Sequence, residues 1–535
     1  AFFQSVKGNQ REQKPSLLAR SMPGGDGLRF GDLFFRRVLF FEERKRMYAF
    51  VTLRVPAETP IIMLSDTSKR GYTMIRRCTG ALTARLNGML TTELFSFGEL
   101  AKMFGTLLLD QFFICFISVL STAMVASTGE AAMAAASMVG TINALVTLVF
   151  LSVATGGAIV IARAKGSGDL HEMRCAIGET VGLSFALGLG VAALLFTLSP
   201  LLVDWLYPNV EPLLRSYSIE YMRLMCISFI PFSVFNAIFN AYRAIGDTRS
   251  SLALTVIING LHLVFCLLFI NVLKMGITGA GLSYIVVRVV GMAAALYWLL
   301  FFHNPCGVRV GHFFRFSRRV SREIVHLGVP IAMESALMQG GMLLVQIYLA
   351  RLSTMEIAAH AVSNSILNLY YIPGQTLVTL ASTVCGQCIG ASQPELARQY
   401  CRRLISIGRV LLVLTVVVLY PLSPLLLKLY SATEASAPII YRSFTITAVC
   451  MPFFWCDSYV IPMTLRSAGD AAFTSTVSVT TLLLCRCALG YMLTIVCGLG
   501  VPGVWISLAV EWLLRALVLR HRLNGNRWFK TVSAV

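Results

Sequence analysis

The sequence predicts an all-α polytopic membrane protein of about twelve transmembrane helices, arranged as two parallel-repeat six-helix bundles around a central cleft. The 535 residues are 56% hydrophobic and only 13% charged, whereas soluble domains carry about a quarter charged residues. Apolar runs of about twenty residues recur from residue 103 onwards, and each can cross a hydrocarbon core of about 30 Å as a helix. The second half of the chain also repeats the first.

The apolar runs are expected to be helices, because backbone polar groups in lipid must be satisfied within the segment. Alternating segments of about ten residues, typical of barrel strands, are not seen. We expect spans near residues 103–126, 137–162, 176–206, 219–242, 252–272, 278–302, 324–350, 361–389, 404–428, 440–464, 474–496 and 502–520.

The net charge of +19 could indicate nucleic acid binding, but the basic residues lie in alternate loops between the apolar runs. Basic loops face the cytoplasm under the positive-inside rule. We therefore expect no nucleic acid partner, a multi-pass protein of the plasma membrane, and both termini on the cytoplasmic side. The basic loops contain Arg163, Lys165 and Arg174; Arg243 and Arg249; Arg309, Arg315, Arg318, Arg319 and Arg322; Arg398, Arg402 and Arg403; Arg466; and Arg520, Arg522, Arg527 and Lys530.

Residues 1–95 differ from the rest of the chain because they are polar, basic and interrupted by prolines. We expect a basic cytoplasmic extension there, which could be disordered, and no secretory signal, since no apolar core follows the basic start. The spans then divide into a first six-helix lobe over 96–302 and a second over 324–520. A basic cytoplasmic linker over 303–323 joins the lobes, and residues 521–535 form a cytoplasmic tail.

Self-similarity between the halves is the most informative pattern, because transporter folds are often doubled and the doubling locates the pathway. Six spans per half is an even number, so both halves enter the membrane from the same side. The repeat axis is then expected along the membrane normal, with a cleft between the bundles that can face either side in turn. The matched segments are separated by a nearly constant spacing, which we call the repeat offset: Tyr242–Asp247 with Leu465–Asp470, Gly276 with Gly500, Glu130 with Glu356, Gly166 with Gly390, and Arg174 with Arg398.

Carboxylates inside lipid are functional candidates, because they are costly unless protonated, paired or bound to a cation. Asp110 in the first span and Glu334 in the seventh are separated by the repeat offset. Two acids at equivalent depths could meet the cleft from opposite walls and bind a proton or a sodium ion in alternation with a cationic substrate. A helix-end role is the alternative, since both lie within the first two turns of their spans. We expect no metal other than sodium at one of these residues.

Further polar residues in the spans are weaker candidates. Asp457 in the tenth span is predicted either to bind the coupling cation or to pair with a buried base. Glu511 in the last span is expected to be structural, with Arg486, Arg515 and Arg288 as potential partners. Six uncharged residues are predicted to line the substrate cleft, although bonding between helices is the alternative for each: Asn259, Gln339, Gln346, Asn364, Asn368 and Gln375.

Four segments together point to one family: 243–249, 276–281, 327–334 and 386–395. In these segments, and over roughly residues 100–520, the chain resembles the multidrug and toxic compound extrusion (MATE) family of the MOP flippase superfamily. The resemblance implies twelve helices in two V-shaped lobes and export of organic cations or other amphiphiles in exchange for sodium ions or protons.

The resemblance also carries over individual residues. The acid of the family's seventh span matches Glu334, and an asparagine of its fifth span matches Asn259. The first-span acid that many members use lies deeper in that helix, where this chain has Ser121 and Thr122. Asp110 is therefore inferred from the internal repeat and not from the family.

The sequence thus predicts a secondary active efflux transporter, and not an enzyme, that exchanges organic cations or other amphiphilic drugs for sodium ions or protons by alternating access. The Gly-Asp loops lack the glycine spacing and lysine of phosphate-binding loops, so no nucleotide or other cofactor is expected. The expected partners are small-molecule substrates and the lipid bilayer, and the protein is expected to be a monomer.

The main alternative is a lipid-linked saccharide flippase of the same superfamily. Such a protein binds an anionic pyrophosphate and would need Arg or Lys in its cleft, for which Arg288 and Arg486 are candidates. A membrane-embedded enzyme would need catalytic groups clustered at one depth, and a channel fits two symmetric halves less well than alternating access does.

Overall fold

The described part of the chain is helical throughout, in a computed structural model of the 535 residues. It contains thirteen α-helices and no strand, which confirms the all-α prediction. The predicted extension over 1–95 and the end of the predicted tail lie largely outside the described residues, which are 94–126, 130–206, 211–314, 316–429 and 434–528.

The twelve expected spans correspond to α1–α9 and α11–α13, and α10 is a short helix between spans. The first lobe contains α1 (Phe97–Ala126), α2 (Glu130–Ser167), α3 (Leu170–Leu206), α4 (Pro212–Ile245), α5 (Thr248–Cys266, continued as a π-helix over Leu267–Val272) and α6 (Gly276–Tyr297, continued over Trp298–Phe302). After a 3-10 turn at Val310–Phe314, the second lobe contains α7 (Arg318–Leu349), α8 (Thr354–Gly390), α9 (Pro394–Leu419), α10 (Ser423–Leu429), α11 (Ala437–Ser467), α12 (Ala471–Thr481, continued over Leu482–Leu489 and Met492–Val496) and α13 (Val501–Asn524).

Nine helical segments within the described residues are long and apolar enough to cross a membrane. They belong to α2–α7 and α11–α13. Among the other three, α8 carries asparagine and glutamine along its length and α9 carries four arginines, so their composition is more polar. The chain is thus a multi-pass membrane protein.

The repeated motif Arg-x-x-Gly-Asp ends α4 and α11 in the same way. Gly246 and Gly469 adopt φ values of +93° and +96°, in the left-handed region that glycine enters without steric cost. In each case the N–H of the following aspartate donates to the carbonyl five residues earlier at 2.9 Å. The sequence repeat therefore corresponds to a structural repeat of two helix ends.

Helices α2 and α8, which are equivalent in the repeat, cross each other at their C-terminal ends. A Cβ added at Gly166 would overlap the carbonyl of Gln387, and one added at Gly390 would overlap the carbonyl of Arg163. The repeat offset relates Gly166 to Gly390 and Arg163 to Gln387, so the crossing lies on the repeat axis. This end of the bundle carries the loops at 168–169, 246–247, 303–309, 391–393 and 468–470. We call it the basic end, because the basic residues expected on the cytoplasmic side lie in or next to these loops.

The buried cores show that the lobes pack together at the basic end and separately at the opposite end. Near the basic end, Ile324 and Leu327 of α7 belong to a cluster built from first-lobe helices, and Met103 of α1 belongs to one built from second-lobe helices. Towards the opposite end, clusters around Phe229 and around Tyr348 each lie within one lobe. Within the described residues, the lobes are thus joined at one end only.

We predict that Gly166→Ala and Gly390→Ala each destabilise the protein, because the added methyl group forces two backbones apart; overpacking typically costs about 1–3 kcal/mol. Gly340→Ala is the control, because its Cβ would meet no described atom within 4 Å and alanine favours a helix by about 1 kcal/mol. The measurement is the Tm in detergent. Equal Tm values for all three variants would contradict the close crossing.

Candidate functional site

In each lobe, one side chain donates a hydrogen bond to the C-terminal end of a helix in the other lobe. Arg163 of α2 donates from Nε to the carbonyl of Ser467, the last residue of α11, at 2.6 Å. Gln387 of α8 donates from Nε2 to the carbonyl of Ala244, near the end of α4, at 2.9 Å. The last carbonyls of a helix lack partners within it and carry partial negative charge, so donors from another helix satisfy them. We call these two bonds, with the α2–α8 crossing, the interlobe contact.

The interlobe contact is symmetric in position and different in chemistry. Arg163 and Gln387 are equivalent in the repeat, as are Ser467 and Ala244. Arg163 also forms an ion pair with Glu323 of α7, while Thr383 of α8 donates to the carbonyl of Arg243 at 2.9 Å. The contact at the basic end therefore combines hydrogen bonds to backbone with one charge pair.

Glu334 and Asp110, the acids predicted from the repeat, each pair with the arginine of the Arg-x-x-Gly-Asp motif in their own lobe. Glu334 binds Arg466, and Asp110 binds Arg243. The repeat offset separates the two arginines as it separates the two acids. The repeat thus preserves the whole ion pair, and the paired arginines directly precede the Ser467 and Ala244 carbonyls that the other lobe holds.

The two ion pairs have different surroundings. Glu334 also accepts from Ser475 Oγ at 2.8 Å, and its side chain is 14% exposed. Asp110 is completely buried, and within the described residues its Oδ1 has no hydrogen-bond partner. The guanidinium of Arg243 lies 4.0 Å from the centre of the Phe239 ring, a cation–π contact. The Asp110 pair is therefore less completely hydrogen-bonded than the Glu334 pair.

A cavity of about 240 Å³ lies between the lobes beside the Asp110–Arg243 pair. Thr155 of α2 and Thr379 of α8, equivalent in the repeat, both line it, so it lies on the repeat axis. We call it the axis cavity. Its other lining residues are Gln111, Leu151, Ala158, Asn240, Arg243 and Ala244 from the first lobe and Val378, Ser382, Thr383 and Met463 from the second.

The six residues predicted for the substrate cleft lie outside the lining of the axis cavity, but three lie on a helix face that leads to it. Asn364, Asn368 and Gln375 are exposed and share one face of α8 with Thr379 and Ser382. On a membrane-spanning helix, a polar face is more stable towards a water-filled cleft than towards lipid. Gln339 and Gln346 lie on α7, and Asn259 donates to the Thr255 carbonyl of its own helix at 2.9 Å.

The acids of α11 and α13 lie in separate ion-pair networks. Asp457 binds Arg409 and Arg520. Glu511 binds Arg486 and Arg515, each at 2.6 Å.

The expectation that Arg288 partners Glu511 is wrong. Arg288 lies in the first lobe, where it donates to Ser228 Oγ at 2.6 Å and packs 4.2 Å from the centre of the Phe232 ring. Its equivalent position in the second lobe is Glu511 itself, so the repeat places the two residues in different lobes.

Sequence reasoning misses the residues that join the lobes. Arg163 carries only a topology signal in the sequence, and Gln387 belongs only to a family-like segment. The repeat offset relates them, yet an arginine and a glutamine do not match by residue type. Asn240, Gln111 and the Thr155–Thr379 pair are also missed, because single polar residues in a span carry little signal.

The family model described as MatE matches the chain twice, over residues 107–268 and 330–492. The two matches together cover more than half of the chain, and the repeat offset separates their starting positions, which confirms the internal repeat.

Curated relatives share low sequence identity with the chain. A probable multidrug resistance protein NorM from Thermotoga maritima is 23% identical over 392 residues, which cover 72% of this chain and 83% of the relative. An uncharacterized transporter, YisQ, from Bacillus subtilis is 22% identical over 424 residues, which cover 76% and 90%.

Solved structures with the same fold include a MOP superfamily transporter from Pyrococcus furiosus, with a TM-score of 0.73 and 17% identity over 79% of this chain and 95% of that one. An outward-facing conformation of a multidrug resistance MATE family transporter has a TM-score of 0.73 and 18% identity, over 80% and 96%. At these identities the likeness is one of fold.

We predict that Glu334→Gln and Arg466→Met each lower the Tm strongly, while the double variant recovers part of the loss. Removing one partner of a buried ion pair leaves an uncompensated charge, at a cost of about 3–5 kcal/mol, whereas removing both does not. Asp204→Asn is the control, because it breaks a half-exposed pair with Arg215 worth about 0–1 kcal/mol. Strictly additive effects in the double variant would contradict a direct pair.

Proposed function

Because the chain belongs to the MatE family, we propose that it is a secondary active efflux transporter of the plasma membrane, with both termini in the cytoplasm. It exchanges organic cations or other amphiphilic drugs for sodium ions or protons by alternating access. The observation that carries this proposal is the position of Glu334 and Asp110, whose arginine partners directly precede the carbonyls held by the opposite lobe.

The protein adopts an outward-facing state. The positive-inside rule assigns the basic end to the cytoplasm, and the lobes join at that end. Opening towards the cytoplasm requires that Arg163 release the Ser467 carbonyl and Glu323. It also requires that Gln387 release the Ala244 carbonyl and that Thr383 release the Arg243 carbonyl. The interlobe contact is therefore the cytoplasmic gate.

The coupling ion acts by competing with arginine for a carboxylate. A proton or sodium ion that binds Glu334 from outside weakens the hold on Arg466, and the adjacent Ser467 carbonyl moves relative to Arg163. Asp110 and Arg243 act in the same way on the Gln387 bond. An ion shifts the equilibrium only by its different affinities for the two states, and the state without the ion pairs is the one that binds it better.

The substrate binds in the axis cavity and along the α8 face above it. The second-lobe wall is polar, with Asn364, Asn368 and Gln375, while the equivalent first-lobe positions are Gly140, Ala144 and Leu151. Along this part of α8 the second-lobe residues are thus more polar than their first-lobe equivalents, and a mixture of polar and apolar surface suits an amphiphilic molecule. Since residues of one chain line the whole cavity, the proposed transport unit is the monomer, with the coupling ion as its co-substrate.

Glu334 and Asp110 are the proposed ion-binding residues, and Asp457 is not one of them. Asp457 lies away from the axis cavity and pairs with two arginines at once, so a cation would have to displace both.

The lipid-linked saccharide flippase receives less support from the charges. Arg486 is paired with Glu511, and Arg288 is buried among aromatic rings. Among the described residues, Arg243 is the cationic side chain that lines the axis cavity, and it is paired with Asp110.

We predict that Glu334→Gln abolishes gradient-driven efflux of a fluorescent organic cation from proteoliposomes, because glutamine cannot exchange a proton or hold sodium by charge. Sodium and proton gradients are imposed separately, so the wild type identifies its ion. Glu395→Gln, which removes an exposed carboxylate at the basic end, should transport normally. Full efflux by Glu334→Gln at equal reconstitution would refute its role. No cation transport by folded wild type under either gradient would favour the flippase.

We predict that Arg163→Ala opens the basic end. The variant loses the hydrogen bond to Ser467, worth about 1.5–3 kcal/mol for a charged donor, and also the ion pair with Glu323. The loss of the hydrogen bond alone shifts the open-to-closed ratio about tenfold or more. Pulsed electron paramagnetic resonance between spin labels at the exposed residues 171 and 399, in a background without reactive cysteines, measures the distance. Arg322→Ala, an exposed arginine on α7 at the same end, should leave the distribution unchanged. An unchanged distribution in Arg163→Ala would contradict the gate.

A further inference from the structure

Asp457 lies buried in α11, with one arginine bound to each carboxylate oxygen. Arg409 of α9 donates to Oδ2 at 2.6 Å, and Arg520 of α13 donates to Oδ1 at 2.7 Å. The Asp457 side chain is 2% exposed, whereas those of Arg409 and Arg520 are 36% and 49% exposed. The carboxylate is thus enclosed, and its two cationic partners reach the surface of the helix bundle.

This cluster carries an excess of positive charge. Two guanidinium groups face one carboxylate, and Arg402, two helical turns before Arg409 on α9, donates to the neutral Asn524 side chain at 2.9 Å. The Nε of Arg409 is buried and, among the described residues, lacks a hydrogen-bond partner. The four side chains Arg402, Arg409, Arg520 and Asp457 therefore leave a net charge of +2 that an anion would offset.

The surface around the cluster is apolar. Val410, Val413, Phe453 and Leu517 are each between 45% and 61% exposed, as expected for side chains that face hydrocarbon. A cation in such surroundings is costly unless it is paired or reaches the membrane interface. Arg520 lies near the C-terminus of α13, at the basic end, where lipid headgroups are within reach.

Two cavities meet at the cluster, and each has both charged and apolar side chains in its lining. Arg409, Asp457 and Arg520 line both. One cavity, of about 300 Å³, extends towards Arg402, Ser406 and Asn524. The other, of about 220 Å³, extends along Phe453, Phe454, Leu513 and Leu517. Cationic side chains with hydrophobic ones directly beside them match a molecule with an anionic head and a hydrocarbon tail.

We propose that this cluster binds an anionic phospholipid of the leaflet at the basic end. Its phosphodiester accepts hydrogen bonds from Arg402, Arg409 and Arg520, as guanidinium groups favour, and one acyl chain lies along Phe453 and Leu517. Asp457 holds two of the arginines in position for the phosphate. The site lies outside the axis cavity and does not depend on the transport proposal.

The test uses the full chain purified in detergent and titrated with dioctanoyl phosphatidylglycerol, with the rise in Tm as the measure of binding. The zwitterionic dioctanoyl phosphatidylcholine and inorganic phosphate are titrated in parallel. We expect a saturable rise with the anionic lipid and a much smaller one with either of the others.

Arg409→Gln and Arg520→Gln should each raise the midpoint of the lipid titration about tenfold or more, the effect of one lost charge-assisted hydrogen bond. Each variant leaves Asp457 with its other arginine. Arg402→Gln, outside the ion pairs, should also raise the midpoint, and it carries the test if the other variants do not fold. Arg442→Gln removes an exposed arginine near the other end of α11 and should bind as the wild type does.

Three results would overturn the proposal. Equal stabilisation by phosphatidylcholine would mean that apolar contact alone is responsible. Equal stabilisation by inorganic phosphate would make the site one for free anions. Wild-type midpoints in the folded arginine variants would mean that the lipid binds elsewhere.

Discussion

The arrangement of the helices around the axis cavity depends on the free-energy cost of burying a carboxylate in a membrane. Glu334 and Asp110 remain acceptable among packed helices because an arginine compensates each of them, and that arginine stands at the end of a helix. The end of the same helix is held by the opposite lobe through Ser467 or Ala244. One electrostatic requirement therefore connects the acids, the helix ends and the contact between the lobes.

The main features of the fold could be predicted from the sequence, because hydrophobic length and the internal repeat are properties of the chain itself. The glycines at 246 and 469 could be matched by the repeat, and both adopt the same left-handed conformation. The partners of the acids could not be predicted, since Arg243 and Arg466 have the sequence context of loop charges that set topology. Their side chains turn back to α1 and α7, and no local pattern encodes that contact. The polar residues of α8 could be identified but not oriented, because which face meets a cleft depends on tertiary packing.

The two lobes share the same arrangement of helices but differ in the hydrogen bonds and ion pairs that equivalent residues form. Asp247 accepts from the backbone N–H of Ser250 at the start of α5, while Asp470 instead accepts from Arg522 at 2.8 Å. Buried charged residues differ between the lobes as well. Glu511 is paired with arginines, whereas its counterpart Arg288 packs against aromatic rings. The polar side-chain interactions of the two lobes have thus diverged, whereas the helix ends and the helix crossing remain alike.

The crossing of α2 and α8 has the form of an isologous contact, in which the same surface meets itself across a twofold axis. In a six-helix ancestor that assembled as a homodimer, any substitution there would have changed both sides at once. Fusion of two copies into one gene removes that restriction, and each side can then mutate alone. Arg163 and Gln387 occupy equivalent positions in the two halves, and a symmetric dimer of identical chains could not place different residues there.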